Sequence, residues 1–208
     1  MILLRTLLVL VTLALVANCA PARPVVLFMG DSLTAGYGVD PDEAYPVVVA
    51  AGLKEQGVAA RVINGGVSGE TTAGGRTRIG WLMKQQVDVL VLALGANDGL
   101  RGVAPEASAK NLSAIIELAR EANPRIKILL AGMKVPPNMG AEFSKKFEAI
   151  FAEIAKEDEV AFLPFLLEGV GGVDAMNLAD GIHPNAAGQR AIAALVLPKL
   201  LPLLGRAE

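Results

Sequence analysis

Short apolar segments alternate with longer segments in which apolar residues recur at helical spacing. The first, Val25 to Met29, is apolar at every position, which is typical of a strand buried on both faces of a parallel sheet. Further strands are predicted at 59–63, 87–94, 126–131 and 160–163. Helices are predicted at 42–56, 72–84, 105–122, 140–156 and 184–200. This order predicts an α/β fold: a doubly wound parallel sheet of five strands with helices on both faces, in three α/β/α layers.

The amino-terminal segment departs from this alternation and is excluded from the fold. Residues 1–20 carry one charged side chain, which precedes an almost uninterrupted apolar run from Leu7 to Val16. This order is typical of an export signal, and small residues place its cleavage near Asn18–Ala22. The run is short for a membrane span, and a retained anchor is the alternative. We therefore expect a single domain over 24–208.

The only cysteine of the chain, Cys19, lies at this boundary. It has no partner for an intrachain disulfide or for a cysteine-based metal site. The segment Leu15–Cys19 resembles a bacterial lipoprotein cleavage box, except that Asn18 replaces the usual small residue. Lipidation at Cys19 and ordinary signal cleavage after Ala20 or Ala22 both stay open, and we expect membrane contact only if Cys19 carries lipid.

Composition and charge exclude several classes of function. The chain has 19 Lys and Arg residues against 21 Asp and Glu residues, without a basic run, and aromatic residues make up 4%. The basic patch expected of a nucleic-acid-binding protein is therefore absent from the sequence. The sequence has neither a phosphate-binding loop nor a dinucleotide fingerprint, and we expect no cofactor. A single histidine argues against catalytic zinc, and no metal is expected.

Polar and glycine-rich clusters follow the first three predicted strands. They are Gly30-Asp31-Ser32, the segment 64–72 and Gly95–Gly99. The carboxyl ends of parallel strands meet at one edge of a sheet, where open α/β folds bind ligands. We predict that Ser32 is a nucleophile there; the alternative is that Asp31 or Ser32 only caps the next helix.

The single histidine, His183, is the candidate general base. A hydroxyl nucleophile needs a base that works near neutral pH, and imidazole, with an ordinary pKa near 6.5, fits. Asp180 lies three residues earlier and can fold back onto His183 Nδ1 through a turn at Gly181, which leaves Nε2 for the proton of Ser32. Pro184 is predicted to begin the closing helix. The alternative is a surface turn with two polar groups.

Attack on an ester carbonyl also needs donors for the negative charge that develops on oxygen. The candidates are the backbone N–H groups of Ser32 and Gly69 and the side-chain amide of Asn97. Glycine allows the backbone to approach a substrate closely, and an Asn at a strand end can reach across a crevice. An ordinary glycine turn and an Asn-Asp-Gly turn are the alternatives.

Four blocks resemble, in order, those of the GDSL or SGNH hydrolases. They are Gly30-Asp31-Ser32-Leu33, Ser68-Gly69-Glu70-Thr71, Gly95-Ala96-Asn97-Asp98 and Asp180-Gly181-Ile182-His183-Pro184-Asn185. The resemblance extends from Val25 to about Leu203 and is greatest to the arylesterase, acyl-CoA thioesterase I and lysophospholipase branch. It implies a flavodoxin-like sheet, a catalytic triad of Ser32, His183 and Asp180, and an oxyanion hole of Ser32, Gly69 and Asn97.

The resemblance also implies a substrate crevice between two loops, 99–104 and 133–139. We expect Asp31 and four apolar loop residues to contact the substrate: Leu100, Val103, Val135 and Met139. Glu70 stands where this branch commonly has Asp, and we expect little consequence.

The function expected from these residues is that of an exported serine esterase acting on small-molecule or lipid-like esters, and also on thioesters and lysophospholipids. A carbohydrate O-deacetylase on the same fold is an alternative, although two Tyr and one Trp offer little surface for stacking on sugars. A lipid-anchored binding protein without turnover is another, although none of the residues needed for turnover is missing.

Overall fold

The computed structural model of the protein describes residues 23–205. The expected export signal, its cleavage region and Cys19 lie outside the described residues. The strands are β1 (Val25–Gly30), β2 (Arg61–Gly66), β3 (Val89–Ala93), β4 (Lys127–Ala131) and β5 (Ala161–Leu163). All four pairings are parallel and the order is β2-β1-β3-β4-β5, which confirms the predicted sheet and its flavodoxin-like winding.

Seven α-helices are found in residues 23–205. They are α1 (Ser32–Ala35), α2 (Tyr45–Glu55), α3 (Thr72–Leu82), α4 (Ala96–Leu100), α5 (Pro105–Ala122), α6 (Ala141–Glu157) and α7 (Ala186–Leu200). Helix α2 packs against α7, and α5 packs against both α3 and α6, which gives the two helical layers. No helix among residues 23–205 is long and apolar enough to cross a bilayer.

The core lies between the sheet and these two layers. Every residue of β1 and β3 is buried, as their uninterrupted apolar sequences predict, whereas β2 at the sheet edge is partly exposed. Three rings on α2 and α6 fill the space above and below the sheet and are fully or almost fully buried: Tyr45, Phe147 and Phe151.

Two element boundaries differ from the prediction for identifiable reasons. Strand β2 continues through Asn64-Gly65-Gly66, because these residues pair with Phe28 to Gly30 of β1. A Cβ on Gly66 would lie 2.2 Å from the backbone nitrogen of Ala35, so glycine allows α1 to approach β2 closely. The closing helix begins at Ala186, not at Pro184, because the side chain of Asn185 caps it.

Candidate active site

Ser32 is the first residue of α1, directly beyond the carboxyl end of β1. The chain turns sharply here: a Cβ on Gly30 would lie 2.0 Å from Thr34 Oγ1 and 2.8 Å from the carbonyl oxygen of Ala93. The carboxylate of Asp31 caps α1 by accepting the Leu33 N–H at 3.0 Å. The capping interpretation is therefore correct for Asp31, and the hydroxyl of Ser32 is left for another partner.

Buried hydrogen bonds hold α1 against α2 and α7. Thr34 Oγ1 and the Tyr45 hydroxyl are 2.9 Å apart, and burial raises the pKa of Tyr45 above its usual range. The carbonyl oxygen of the Gln189 side chain accepts the Tyr45 N–H at 2.8 Å, and its amide donates to the Leu33 carbonyl at 3.4 Å. The backbone that carries Ser32 is therefore fixed from two sides.

The structure brings Ser32, His183 and Asp180 into one hydrogen-bonded series. Ser32 Oγ lies 3.0 Å from His183 Nε2, although the two residues are 151 positions apart. His183 Nδ1 lies 2.7 Å from Asp180 Oδ2. Because an ionised carboxylate only accepts hydrogen bonds, Nδ1 carries a proton, which leaves Nε2 as the nitrogen that can accept the Ser32 O–H.

Asp180 is held in its ionised form by the turn that it begins. Its Oδ1 accepts the backbone N–H groups of His183 at 3.0 Å and Ile182 at 2.9 Å. The pKa of Asp180 is lowered to about 2 by three hydrogen bonds, which come from the backbone N–H of His183, from the imidazole of His183 and from the backbone N–H of Ile182. Gly181 takes a φ of +68° within this turn, a value that favours glycine.

The ring of Tyr37 covers the imidazole. The two ring centroids are 4.5 Å apart and the planes are inclined by 42°. Tyr37 is 53% exposed, so the contact lies at the mouth of the site. The sequence analysis did not assign Tyr37 a role; its position five residues after Ser32 was the available signal.

The three candidate oxyanion donors lie at the same edge of the sheet. Within residues 23–205, the backbone N–H groups of Ser32 and Gly69 have no hydrogen-bond acceptor, and Gly69 has a φ of +80°. Asn97 lies in α4 and not in a turn at the strand end. Its Nδ2 donates to Asp31 Oδ2 at 3.2 Å and to the Glu70 carbonyl at 3.0 Å.

The carboxyl of Asp31 lies at the same edge of the sheet, directly before Ser32, but is fully buried. Its two oxygens accept the Leu33 N–H and the Asn97 amide, so it contacts protein groups rather than presenting an open surface to substrate. Burial, which outweighs these hydrogen bonds, raises the pKa of Asp31 to about 6.

Asp98 connects α4 to the start of α3. This residue is 1% exposed, and its carboxylate accepts the Thr72 N–H at 2.8 Å, the Thr72 hydroxyl at 2.5 Å and the Ser108 hydroxyl at 3.2 Å. Because Gly69 lies just before α3 and Asn97 precedes Asp98 in α4, this carboxylate fixes the Gly69 loop relative to α4.

Glu70 has a larger structural role than the sequence analysis expected. Its carboxylate pairs with Arg78 through both oxygens, with Arg78 Nε at 2.8 Å from Oε1, and Arg78 also donates to the Gly65 carbonyl at 2.8 Å. The carbonyl of Gly69 accepts from Arg101 at 3.1 Å. The loop that carries the Gly69 N–H is therefore held on both sides.

A cleft of about 470 Å³ opens beside Ser32 and His183. It follows the carboxyl ends of β1, β3, β4 and β5 and is mainly apolar. Of the predicted substrate contacts, Asp31, Leu100 and Val135 line it. Residues that the sequence analysis did not single out also line it, among them Lys134, Pro136, Phe165, Leu167 and Ile182.

Two of the predicted substrate contacts, Val103 and Met139, do not line this cleft. The chain turns at Gly102, with a φ of +65°, and the Val103 N–H then bonds to the Asp98 carbonyl at 3.0 Å, so the loop leaves the cleft. Met139 lines a separate surface hollow with Phe143.

A serine hydroxyl, an imidazole and a carboxylate bonded in series, at the carboxyl edge of a parallel sheet, are the arrangement of a serine hydrolase. Comparison with known proteins agrees with this class. The profile of the GDSL-like lipase/acylhydrolase family matches residues 28–191. A crystal structure of TesA superposes with a TM-score of 0.82 at 38% identity, covering 86% of this chain and 99% of that one.

Three relatives match almost the whole chain. Esterase TesA of Pseudomonas aeruginosa is 39% identical over 88% of this chain and 90% of its own. Arylesterase of Vibrio mimicus is 35% identical over 94% of this chain and 97% of its own. Thioesterase 1/protease 1/lysophospholipase L1 of Escherichia coli is 35% identical over 92% of this chain and 90% of its own.

The chain therefore belongs to the GDSL-like lipase/acylhydrolase family. It is a carboxylic ester hydrolase, which confirms the class of enzyme that the four sequence blocks indicated.

Proposed function

We propose that the protein hydrolyses esters through an acyl-enzyme formed on Ser32. The Ser32 oxygen attacks the carbonyl carbon while its proton passes to His183 Nε2, and Asp180 stabilises the resulting imidazolium. The C–O or C–S bond then breaks, and the imidazolium gives the proton to the departing group. Water, deprotonated by the same imidazole, attacks the acyl-serine and releases the carboxylic acid and free Ser32.

The oxyanion of each tetrahedral intermediate is received by three donors. The backbone N–H groups of Ser32 and Gly69 are unoccupied within the described chain and available to it. The amide of Asn97 is the third donor. Both hydrogens of its Nδ2 already have acceptors, so the hydrogen that points to Asp31 is shared with the oxyanion when the intermediate forms.

The single observation that carries this proposal is the series Ser32 Oγ, His183 Nε2, His183 Nδ1 and Asp180 Oδ2, with distances of 3.0 and 2.7 Å. Both contacts lie within the range that a nucleophile, its base and the group orienting the base require.

The apolar cleft is suited to an acyl chain or an aryl group. We therefore extend the proposal to aryl esters, acyl thioesters and lysophospholipids, which the names of the three relatives support. The cleft is open along the strand ends, and the proposed substrates are esters of short to medium acyl groups.

The test of the nucleophile is Ser32→Ala, assayed on p-nitrophenyl esters of graded acyl length. Turnover should fall by at least about a thousandfold. Ser68→Ala is the matched control, because Ser68 is an exposed serine at the same sheet edge, and it should retain activity. Mass spectrometry after reaction with an organophosphonate should find the label on Ser32. Near-normal turnover in Ser32→Ala would refute the assignment.

Residues 1–20 are proposed to be an export signal and 24–208 the mature domain, which would place the enzyme in the periplasm or outside the cell. Mass spectrometry of the mature amino terminus tests this. Cleavage near Asn18–Ala22 supports export, a diacylglycerol adduct on Cys19 identifies a lipid anchor, and an intact first residue contradicts both.

A further inference from the structure

The cleft beside Ser32 carries one cation that the proposed mechanism does not use. Lys134 follows β4 and is the only lysine or arginine among the residues that line this cleft in the described chain. Its other lining residues are apolar, small or already placed in the mechanism. The ammonium of a lysine on a mainly apolar wall must face solvent or a bound polar group. Lys134 is therefore able to contact a charged group of a substrate in this cleft.

The charge of Lys134 is not neutralised by the protein. No ion pair to Lys134 is found among residues 23–205. Its Nζ instead lies 4.9 Å from the centroid of the Phe165 ring, which follows β5 and also lines the cleft. A cation–π contact at an exposed site is weak, and it leaves the three N–H donors of the ammonium able to bond to an anion.

The order of the strands gives the approximate separation of the two segments that carry Ser32 and Lys134. Ser32 follows β1 and Lys134 follows β4, and only β3 lies between them. Neighbouring strands are about 4.8 Å apart, so the ends of β1 and β4 are separated by roughly 10 Å. A medium-length acyl chain attached to Ser32 and extended along Leu100 and Val135 would bring its far end to Lys134.

We propose that Lys134 forms a subsite for an anionic group of the substrate, at the end of the cleft away from the reacting carbonyl. The group is a carboxylate or a phosphate. It comes either from the far end of the acyl chain, as in a monoester of a dicarboxylic acid, or from the leaving group, as in an acylated glycerol phosphate. This inference rests on the proposed function of Ser32 and specifies which esters that site prefers.

Two matched pairs of substrates test the subsite. The first pair is p-nitrophenyl octanoate and the mono-p-nitrophenyl ester of suberic acid, which differ only in the distal carboxylate. The second pair is monooctanoylglycerol and monooctanoylglycerol phosphate. The variants are Lys134→Met, which keeps an unbranched side chain without charge, and Lys134→Arg, which restores the charge. Lys84→Met, an exposed lysine before β3 at the opposite edge of the sheet, controls for net charge.

We expect Lys134→Met to lower kcat/KM for an anionic substrate by about three- to tenfold, mainly through KM, and to leave the neutral partner unchanged or slightly improved. Lys134→Arg should restore kcat/KM for the anionic substrate, and Lys84→Met should behave as wild type. A loss confined to the suberate ester assigns the anion to the acyl side, and one confined to the phosphate assigns it to the leaving group.

Equal effects on the charged and neutral members of both pairs would overturn the subsite. That result is distinct from a failure of the proposed function, because Ser32→Ala would still abolish turnover of all four substrates.

Discussion

The carboxylate of Asp31 accepts a hydrogen bond from the side-chain amide of Asn97 at 3.2 Å, across 66 positions of the chain. The same carboxylate caps α1, the helix that begins with Ser32. One buried group therefore orients both the segment that carries the proposed nucleophile and the amide proposed to receive the oxyanion. Its two oxygens have two different N–H donors as partners, which only a carboxylate can satisfy without rearrangement.

Asp31→Asn should lower kcat by about ten- to a hundredfold with little change in KM. An asparagine presents one oxygen and one NH2 group, so its NH2 must face either the Leu33 N–H or the Asn97 amide, and one bond becomes a contact between two donors. Loss of a whole oxyanion donor lowers kcat by about a hundred- to a thousandfold, and displacement of a donor lowers it less. Asp88→Asn, at the other end of β1, is the control; wild-type kcat in Asp31→Asn would contradict this role.

The pH dependence of stability should also change in Asp31→Asn. The folded-state pKa of Asp31 is about 6, against 3.8 ordinarily, so between these values the folded protein holds a proton that the unfolded chain has lost. This group's contribution to stability therefore falls as pH rises through that window. The free energy of unfolding of the wild type, relative to that of Asp31→Asn, should decrease by about 2 kcal/mol from pH 4.5 to 7 in urea titrations. A constant difference would show that Asp31 is ionised at both pH values.

The acid limb of kcat/KM should persist in Asp31→Asn and should not come from Asp180. The pKa of Asp180 is lowered to about 2, so this carboxylate remains ionised throughout the range from pH 5 to 8. Activity should therefore fall on the acid side of neutrality, because an imidazole that is already protonated cannot accept the proton of Ser32. Asp180→Asn should lower kcat at least about a hundredfold at every pH, because the imidazole loses its ionised partner. A flat profile down to pH 5 in wild type would contradict the role of His183.

The aromatic ring of Tyr37, rather than its hydroxyl, should support the reaction. The ring centroids of Tyr37 and His183 are 4.5 Å apart, close enough for the aromatic ring to stabilise the imidazolium of the proposed mechanism. Cation–π contacts at exposed sites contribute about 0.5–1 kcal/mol. Tyr37→Leu should therefore lower kcat about two- to fivefold, and Tyr37→Phe should match the wild type. If Tyr37→Phe loses as much activity as Tyr37→Leu, the hydroxyl is responsible.

The sequence alone predicted those strands and site residues that a local pattern or a scarce residue type determines. Buried parallel strands leave uninterrupted apolar runs, so β1 and β3 could be predicted, and the single imidazole limited the choice of base to His183. The end of β2 could not be predicted, because Asn64-Gly65-Gly66 has the composition of a turn, and only its pairing with β1 makes it a strand.

The lining of the cleft was predicted less well than the bonded series beside Ser32. Leu100 and Val135 line it, but Val103 and Met139 do not, because the direction of a loop depends on bonds such as that from the Val103 N–H to the Asp98 carbonyl. No local signal in the sequence places Phe165 in the cleft. It reaches the cleft because β5 is placed beside β4, a relationship that exists only in the folded chain.

Thr72→Val should reduce both stability and kcat, because Thr72 connects the loop of Gly69 to α4 through Asp98. Valine preserves the shape of threonine but removes the hydroxyl that donates to Asp98 at 2.5 Å, and the buried carboxylate loses one of its partners. Leaving a buried polar group short of a bond costs about 1–3 kcal/mol.

The accompanying loss of kcat should be about three- to tenfold, since Gly69 would be less firmly placed relative to Asn97. Thr77→Val is the matched control on the same helix, because the Thr77 hydroxyl bonds only to the Ala73 carbonyl at the exposed surface. Urea denaturation and steady-state kinetics on the same samples separate the two effects. A loss of stability with wild-type kcat would show that Asp98 stabilises the fold without placing the oxyanion donors.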